Sequence, residues 1–317
     1  MSTAVTSHAT PPLNRYPAEM AMTPLVPVQL PGQSRPIWCK LEFLNPSGST
    51  KDRIARYILG KAVERSHLKP GGTAIEASSG STSIAMAQVC AQLGVRFIAV
   101  LPEGVSSERV LMIRAYGGTV HFAGKDAGIP GCIAESERLA AELSAFLPRQ
   151  FANPENVEAH QFGTAREIVD QIPGHRVDAV VSGVGTGGTL VGLVRGCQAP
   201  PRVPHAFLAR PVELHSPRET ECCSFSARIP GVMECASHLF READYPLLKT
   251  IEVPDEEALE TARELIRLGF PVGPSSGLNY RAAMIVAESL WPANIVTVFP
   301  DRMERYFSTS LFRQLQP

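Results

Sequence analysis

Val95–Leu101 is apolar at every position except Arg96. A strand with that pattern has no polar face to give to water. It belongs inside a sheet covered on both sides, which is how parallel sheets with helical crossovers are built. The rest of the chain follows the same plan. Strand-like runs at Ile37–Phe43, Thr73–Ala77, Thr119–Phe122, Ala179–Gly183, His205–Ala209, Ile251–Val253 and Ile295–Phe299 alternate with helical periods. Those periods fall at Asp52–Glu64, Thr82–Leu93, Ser107–Tyr116, Glu135–Ser144, Gly187–Arg195, Asp255–Leu268 and Gly277–Leu290. The alternation predicts an α/β fold of mainly parallel sheets covered by helices. Gly117-Gly118 should end the helix before it, and Asp255 should cap its own. A chain of 317 residues has room for roughly two such domains. Ala199–Arg228 holds five prolines and little periodicity, and is predicted to be largely irregular.

Charge and composition exclude several function classes. The formal net charge is −1 with no basic or acidic tail, which argues against a nucleic-acid partner. No apolar run approaches the length of a membrane span. Met1–Pro12 is rich in Ser, Thr, Ala and Pro, so it reads as a disordered lead-in and not a signal peptide. A cytoplasmic location is expected. The seven cysteines, Cys39, Cys90, Cys132, Cys197, Cys222, Cys223 and Cys235, form no CxxC pair. Neither a metal site nor a disulfide framework is expected. Cys222 and Cys223 stand out only by adjacency.

Four short motifs carry chemistry. In Asn45-Pro46-Ser47-Gly48-Ser49-Thr50-Lys51-Asp52-Arg53 a single lysine sits where a loop enters a helix. Most lysines are solvated, but one that forms a Schiff base must be neutral, with its pKa lowered by burial or neighbouring positive charge. Arg53 could supply that charge and Asp52 could cap the helix. Gly183-Val184-Gly185-Thr186-Gly187-Gly188-Thr189 joins a strand to a helix. Its backbone N–H groups and the helix N-terminus suit a phosphate, although a tight turn alone would also use these glycines. Ser78-Ser79-Gly80-Ser81-Thr82-Ser83 and Gly273-Pro274-Ser275-Ser276-Gly277 stand at similar junctions. Each is either a serine cap or a ligand loop. A reactive amine and a distant phosphate cradle together suggest pyridoxal 5′-phosphate as cofactor.

Taken together, these motifs resemble the cysteine synthase (O-acetylserine sulfhydrylase) and cystathionine β-synthase family of fold-type II pyridoxal-phosphate enzymes. The resemblance is carried by Thr23-Pro24-Leu25, Asn45–Arg53, Gln150-Phe151-Ala152-Asn153-Pro154, Gly183–Thr189, Ser275-Ser276-Gly277 and Glu304-Arg305-Tyr306-Phe307-Ser308-Thr309. It implies two three-layer α/β/α domains with the cofactor in the cleft between them. Residues 13–46 and 158–317 would form the larger, phosphate-binding domain, and residues 47–157 a smaller mobile one. A homodimer is implied. So is a role for Lys51 as the Schiff-base lysine and later the base for the substrate α-proton. Gly185, Thr186, Gly187, Gly188 and Thr189 would bind the phosphate, and Ser275 would meet the pyridine nitrogen. Ser78, Ser79, Gly80, Thr82 and Gln150 would bind the substrate α-carboxylate. Ser81 stands where the family usually carries an Asn bonded to the cofactor's 3′-oxygen.

The reaction so implied is β-replacement on an activated L-serine through an α-aminoacrylate, giving L-cysteine or a related β-substituted alanine. An L-cysteine desulfhydrase, releasing pyruvate, ammonia and sulfide, would use the same cofactor contacts. Similar Ser-Ser-Gly-Ser-Thr loops occur in members resembling such desulfhydrases. A synthase joining O-phosphoserine to an amine is a third reading. Arg218 and Arg228 are either acidic-group contacts or solvated. No haem and no regulatory domain is expected. A scaffold that kept the fold without catalysis is the competing class, and the intact Lys51 and phosphate loop speak against it.

Overall fold

The computed structural model describes residues 21–124, 128–213, 228–232, 237–290 and 293–313. Nine strands among these residues form two sheets. They are β1 (Leu25–Val28), β2 (Ile37–Lys40), β3 (Thr73–Ala77), β4 (Arg96–Leu101), β5 (Thr119–Phe122), β6 (Ala179–Ser182), β7 (His205–Val212), β8 (Lys249–Pro254) and β9 (Ile295–Val298). One sheet has six strands in the order β1-β2-β9-β6-β7-β8, and the other has three in the order β3-β4-β5. Every pairing is parallel except β1 with β2. The helices are α1 (Lys51–Glu64), α2 (Ser81–Leu93), α3 (Ser107–Ala115), α4 (Gly128–Leu143), α5 (Glu155–Ala159), α6 (Ala165–Gln171), α7 (Gly188–Gly196), α8 (Asp255–Arg267) and α9 (Pro274–Ser289). Among the described residues, no helix is long and apolar enough to cross a membrane.

The strand that fixes the plan, β4, is the middle of the smaller sheet, and Phe97, Ala99, Val100 and Leu101 on it are buried. Several expectations need correction. Asp255 is the first helical residue of α8 and not its cap, a position held by Pro254. In the first turn its carboxylate still complements the helix dipole. Helix α4 begins at Gly128 and not at Glu135, because Pro130 falls in its first turn, where a missing N–H costs nothing. The strand predicted at His205–Ala209 within the largely irregular stretch 199–228 runs further, through Pro211 to Val212. Pro211 lies beyond Leu208, the last residue paired with β6, so its missing N–H breaks no ladder on that side. Residues 214–227, with Arg218, Cys222 and Cys223, lie outside the described residues, as do Cys235 and Met1–Pro12. The described cysteines Cys39, Cys90, Cys132 and Cys197 are buried free thiols.

Strand β1 and the run α5–α6 had no sequence signal. β1 is a short edge strand with Pro27 inside it, a composition that reads as loop. Between α5 and α6 a π-turn at His160–Thr164 shifts the helical phase and hides the period of 3.6 residues.

Candidate active site

The C-terminal ends of parallel strands are where open α/β sheets bind ligands. Here the loops after β3, β6 and β9 border one cleft together with Ser49, Thr50 and Lys51. Lys51 is the first residue of α1, and its loop is tied from both sides. Asp52 turns back to accept the Ser47 N–H at 3.0 Å and the Ser49 N–H at 3.4 Å. Arg305, itself buried, donates to the carbonyls of Ser47 and Gly48.

Burial pushes the Lys51 pKa below the ordinary lysine value, while the charges of Asp301 and Glu42 pull the other way. Among the described residues, no hydrogen bond or ion pair holds its Nζ. The expected help from Arg53 is absent. Arg53 donates to Glu42 at 2.8 Å and 3.0 Å and also pairs with Glu167. That buried cluster includes Lys40, whose Nζ lies 2.7 Å from Glu167. Low polarity around the amine therefore does the tuning.

Gly185, Thr186, Gly187 and Thr189 line the cleft where β6 passes into α7. Gly187 is the helix cap with φ of +84°, a left-handed conformation that favours glycine. Gly188 lies outside the lining, where a Cβ would stand 1.8 Å from Asn156 Oδ1. Asn156 donates to Thr186 Oγ1 at 2.9 Å. His160 Nε2 lies 3.2 Å from Thr189 Oγ1, and its Nδ1 lies 3.0 Å from Thr164 Oγ1. Burial, and next the Lys51 charge, push the His160 pKa down to about 3, so the ring is neutral at physiological pH. An amide and a neutral imidazole thus fix both threonine hydroxyls without adding charge.

Ser79, Ser81, Thr82 and Gln150 line the same cleft, whereas Ser78 and Gly80 do not. The Ser78 hydroxyl is spent within the loop, 2.6 Å from Ser83 Oγ and accepting the Gly80 N–H at 3.0 Å. Thr82 donates to Gln150 Oε1 at 2.7 Å, and Gln150 Nε2 donates to the Ala77 carbonyl at 2.6 Å. Beneath them Glu76 accepts the Gln150 N–H at 3.1 Å. Burial pushes the Glu76 carboxyl up to about 8. What this loop can present to an anion is Ser79 and the first-turn N–H groups of α2, which lack intrahelical acceptors. Ser275 lines the cleft on the opening turn of α9, while Ser276 is fully buried. Pro230, Gly231 and Val232 also border it, and Arg228 pairs with Glu256 at 2.5 Å.

Sequence reasoning gave no role to Asn279, Asp301, Tyr306 or Arg109, yet all four line the cleft. Asn279 accepts the Gly183 N–H at 2.7 Å and donates to the Val298 carbonyl at 2.9 Å, joining the ends of β6 and β9. The Tyr306 hydroxyl donates to Asp301 Oδ2 at 2.6 Å. The Arg109 guanidinium lies 4.9 Å from the centre of the Tyr306 ring and donates to the Ser79 carbonyl. A usable signal existed for Asp301, which follows the end of a parallel strand.

These residues fit pyridoxal phosphate. The cleft holds a half-buried lysine whose amine nothing else among the described residues engages, a helix N-terminus flanked by two positioned hydroxyls, and a hydroxyl on α9 for a ring nitrogen.

Comparison with known proteins agrees with that chemistry. Residues 18–301 match the family described as pyridoxal-phosphate dependent enzyme. Cysteine synthase B of Campylobacter jejuni is 35% identical over 279 residues, covering 87% of this chain and 91% of that protein. The crystal structure of O-ureido-L-serine synthase superposes with a TM-score of 0.82 at 31% identity, covering 93% of each chain. A hydrogen sulfide-producing enzyme from Fusobacterium nucleatum superposes with a TM-score of 0.79 at 34% identity, covering 89% of this chain and 86% of that one.

Proposed function

The chain belongs to the pyridoxal-phosphate-dependent enzymes, and on that premise we propose that it catalyses β-replacement on an activated L-serine of the O-acetylserine kind. The product is L-cysteine or a related β-substituted alanine. The observation that carries this reading is Lys51, a half-buried lysine in the cleft with a lowered pKa and no polar partner for its amine among the described residues. When bound, the cofactor supplies an aldehyde for an amine and an electron sink for a carbanion.

The chain's own groups do the rest. Lys51 Nζ would hold the cofactor's aldehyde carbon, and as a free amine would serve as the base for the substrate α-proton. The Gly185–Thr189 loop and the α7 N-terminus hold the phosphate. Ser275 would meet the ring nitrogen with a neutral hydroxyl, which would leave that nitrogen largely unprotonated and suit β-elimination chemistry. Ser79 and the first turn of α2 take the substrate carboxylate, braced by Thr82, Gln150 and Glu76. Closure of residues 47–157 over a larger unit of 13–46 and 158–317 excludes water. That exclusion decides whether a nucleophile or water completes the turnover. The working form in this reading is a cytoplasmic homodimer, as the family resemblance implies.

Ser81 and the similarity to a hydrogen sulfide-producing enzyme favour a second reading, an L-cysteine desulfhydrase sharing every cofactor contact. A synthase using O-phosphoserine and an amine is the third. One titration separates them. With O-acetyl-L-serine, β-replacement gives a new visible band that sulfide discharges. A spectrum indifferent to O-acetylserine, with sulfide released from L-cysteine, selects the lyase. A response confined to O-phosphoserine and an amine selects the third reading. Protein that takes up no pyridoxal phosphate sinks all three.

A further inference from the structure

Ser81 opens α2 and lines the cleft. Its hydroxyl has one hydrogen, and the geometry directs it to Asp301, with Oγ 3.4 Å from Oδ2. The same Oδ2 accepts the Tyr306 hydroxyl at 2.6 Å. Burial, and next the Asp301 charge, hold the Tyr306 pKa above the ordinary tyrosine value, so Tyr306 stays a donor. The single Asp301 Oδ2 accepts from both hydroxyls. The sense of both bonds is therefore fixed. Ser81 gives its hydrogen to Asp301 and keeps only lone pairs for the cleft.

We propose that Asp301 is a positioning residue acting through Ser81, making Ser81 a hydrogen-bond acceptor toward the cofactor's 3-oxygen and so favouring that oxygen in its protonated, neutral form. This rests on the pyridoxal-phosphate reading above. In that cofactor the 3-oxygen and the phosphate arm flank the aldehyde carbon on its two sides. The phosphate loop and Ser81 follow strands of different sheets, and both border the cleft that holds Lys51. A group anchored at Lys51 and at Gly185–Thr189 would turn its 3-oxygen to the side of Ser81. The Asp301 charge acts in the same sense, because a phenolate near a carboxylate places two anions together. The neighbouring Arg109 does not reverse this, since its guanidinium is turned to the Ser79 carbonyl and the Tyr306 ring.

The test is the absorption spectrum of the resting, cofactor-loaded protein at one buffered pH. The neutral form of the bound cofactor absorbs at shorter wavelength than the phenolate form, so the ratio of bands reports the proton. Ser81→Asn introduces an N–H donor. Asp301→Ala frees the Ser81 hydrogen and removes the adjacent anion. Each is expected to move the ratio about tenfold toward the longer-wavelength form. Ser81→Asn decides alone if Asp301→Ala does not fold. Cofactor uptake with ratios unchanged overturns this inference and leaves the proposed reaction standing. A wild-type protein that binds no cofactor overturns both.

Discussion

Lys51 is a cation in water and must be neutral to attack an aldehyde, and the protein achieves this mainly by burying it. A lysine whose pKa is lowered on folding holds fewer protons than its unfolded counterpart. Stability therefore rises with pH from the lowered value up to the ordinary one. The same burial sets activity, which should rise as pH climbs through the lowered value. Lys51→Ala is expected to lower kcat by about 10³-fold or more, with cofactor retained by the phosphate loop, as read by turnover and by bound-cofactor absorbance. His160 gives a second pH signature. It is neutral in the fold with a pKa of about 3, against 6.5 when exposed. As pH falls below 6.5 the unfolded chain takes a proton that the fold refuses. Stability should then drop by at most about 1.4 kcal/mol per pH unit. Replacing His160 with Asn should flatten that slope between about pH 6.5 and 4.5, measured by denaturant midpoints. Lys51 and the glycine loop were picked out by the joint pattern of four short motifs. His160 was not, and Asp301 offered only its place after a parallel strand. Their value comes from neighbours distant in the chain, as with His160 against Thr189 and Asp301 against Ser81.

Among the elements, α7 carries the phosphate loop and packs on the π-turn between α5 and α6. The fit is close enough that a Cβ on Gly192 would lie 2.5 Å from His160 Cβ and 2.7 Å from the Val157 carbonyl oxygen. The backbone there cannot yield cheaply. Gly192→Ala is expected to cost about 1–3 kcal/mol of stability, read by denaturant unfolding. It should also weaken cofactor binding, because any shift of the π-turn moves His160 away from Thr189. Elements such as α2 and β3 were legible from their mostly apolar sequences, since most of their residues are buried. The π-turn was not, because a change of phase inside a helix looks like the end of one.

For the whole molecule, the C-terminal segment is the tie between the two sheets. Arg305 holds the carbonyls of Ser47 and Gly48, Ser106 Oγ donates to the Arg305 carbonyl at 2.8 Å, and Ser308 donates to Glu108 at 2.8 Å and 2.9 Å. Arg305→Ala leaves the buried Ser47 carbonyl without a donor and the Gly48 carbonyl with only the Arg302 N–H at 3.1 Å. It should cost about 2–4 kcal/mol and lower kcat through Lys51, measured by thermal unfolding and steady-state kinetics. Sequence alone was enough for the α/β class, the pyridoxal-phosphate family and the candidate lysine and glycine loop. Those depend on local periodicity and on residue types that few other structures require. Only the tertiary structure decided what surrounds them. Arg53 is committed to Glu42 and Glu167, Ser78 is folded into its own loop, and Asp301 holds Ser81. Ser78 meets Ser83 only five positions on, through the local turn, but Arg53 with Glu167 and Asp301 with Ser81 depend on packing, and hydrogen bonds between residues more than a hundred positions apart leave no periodic trace in a single chain.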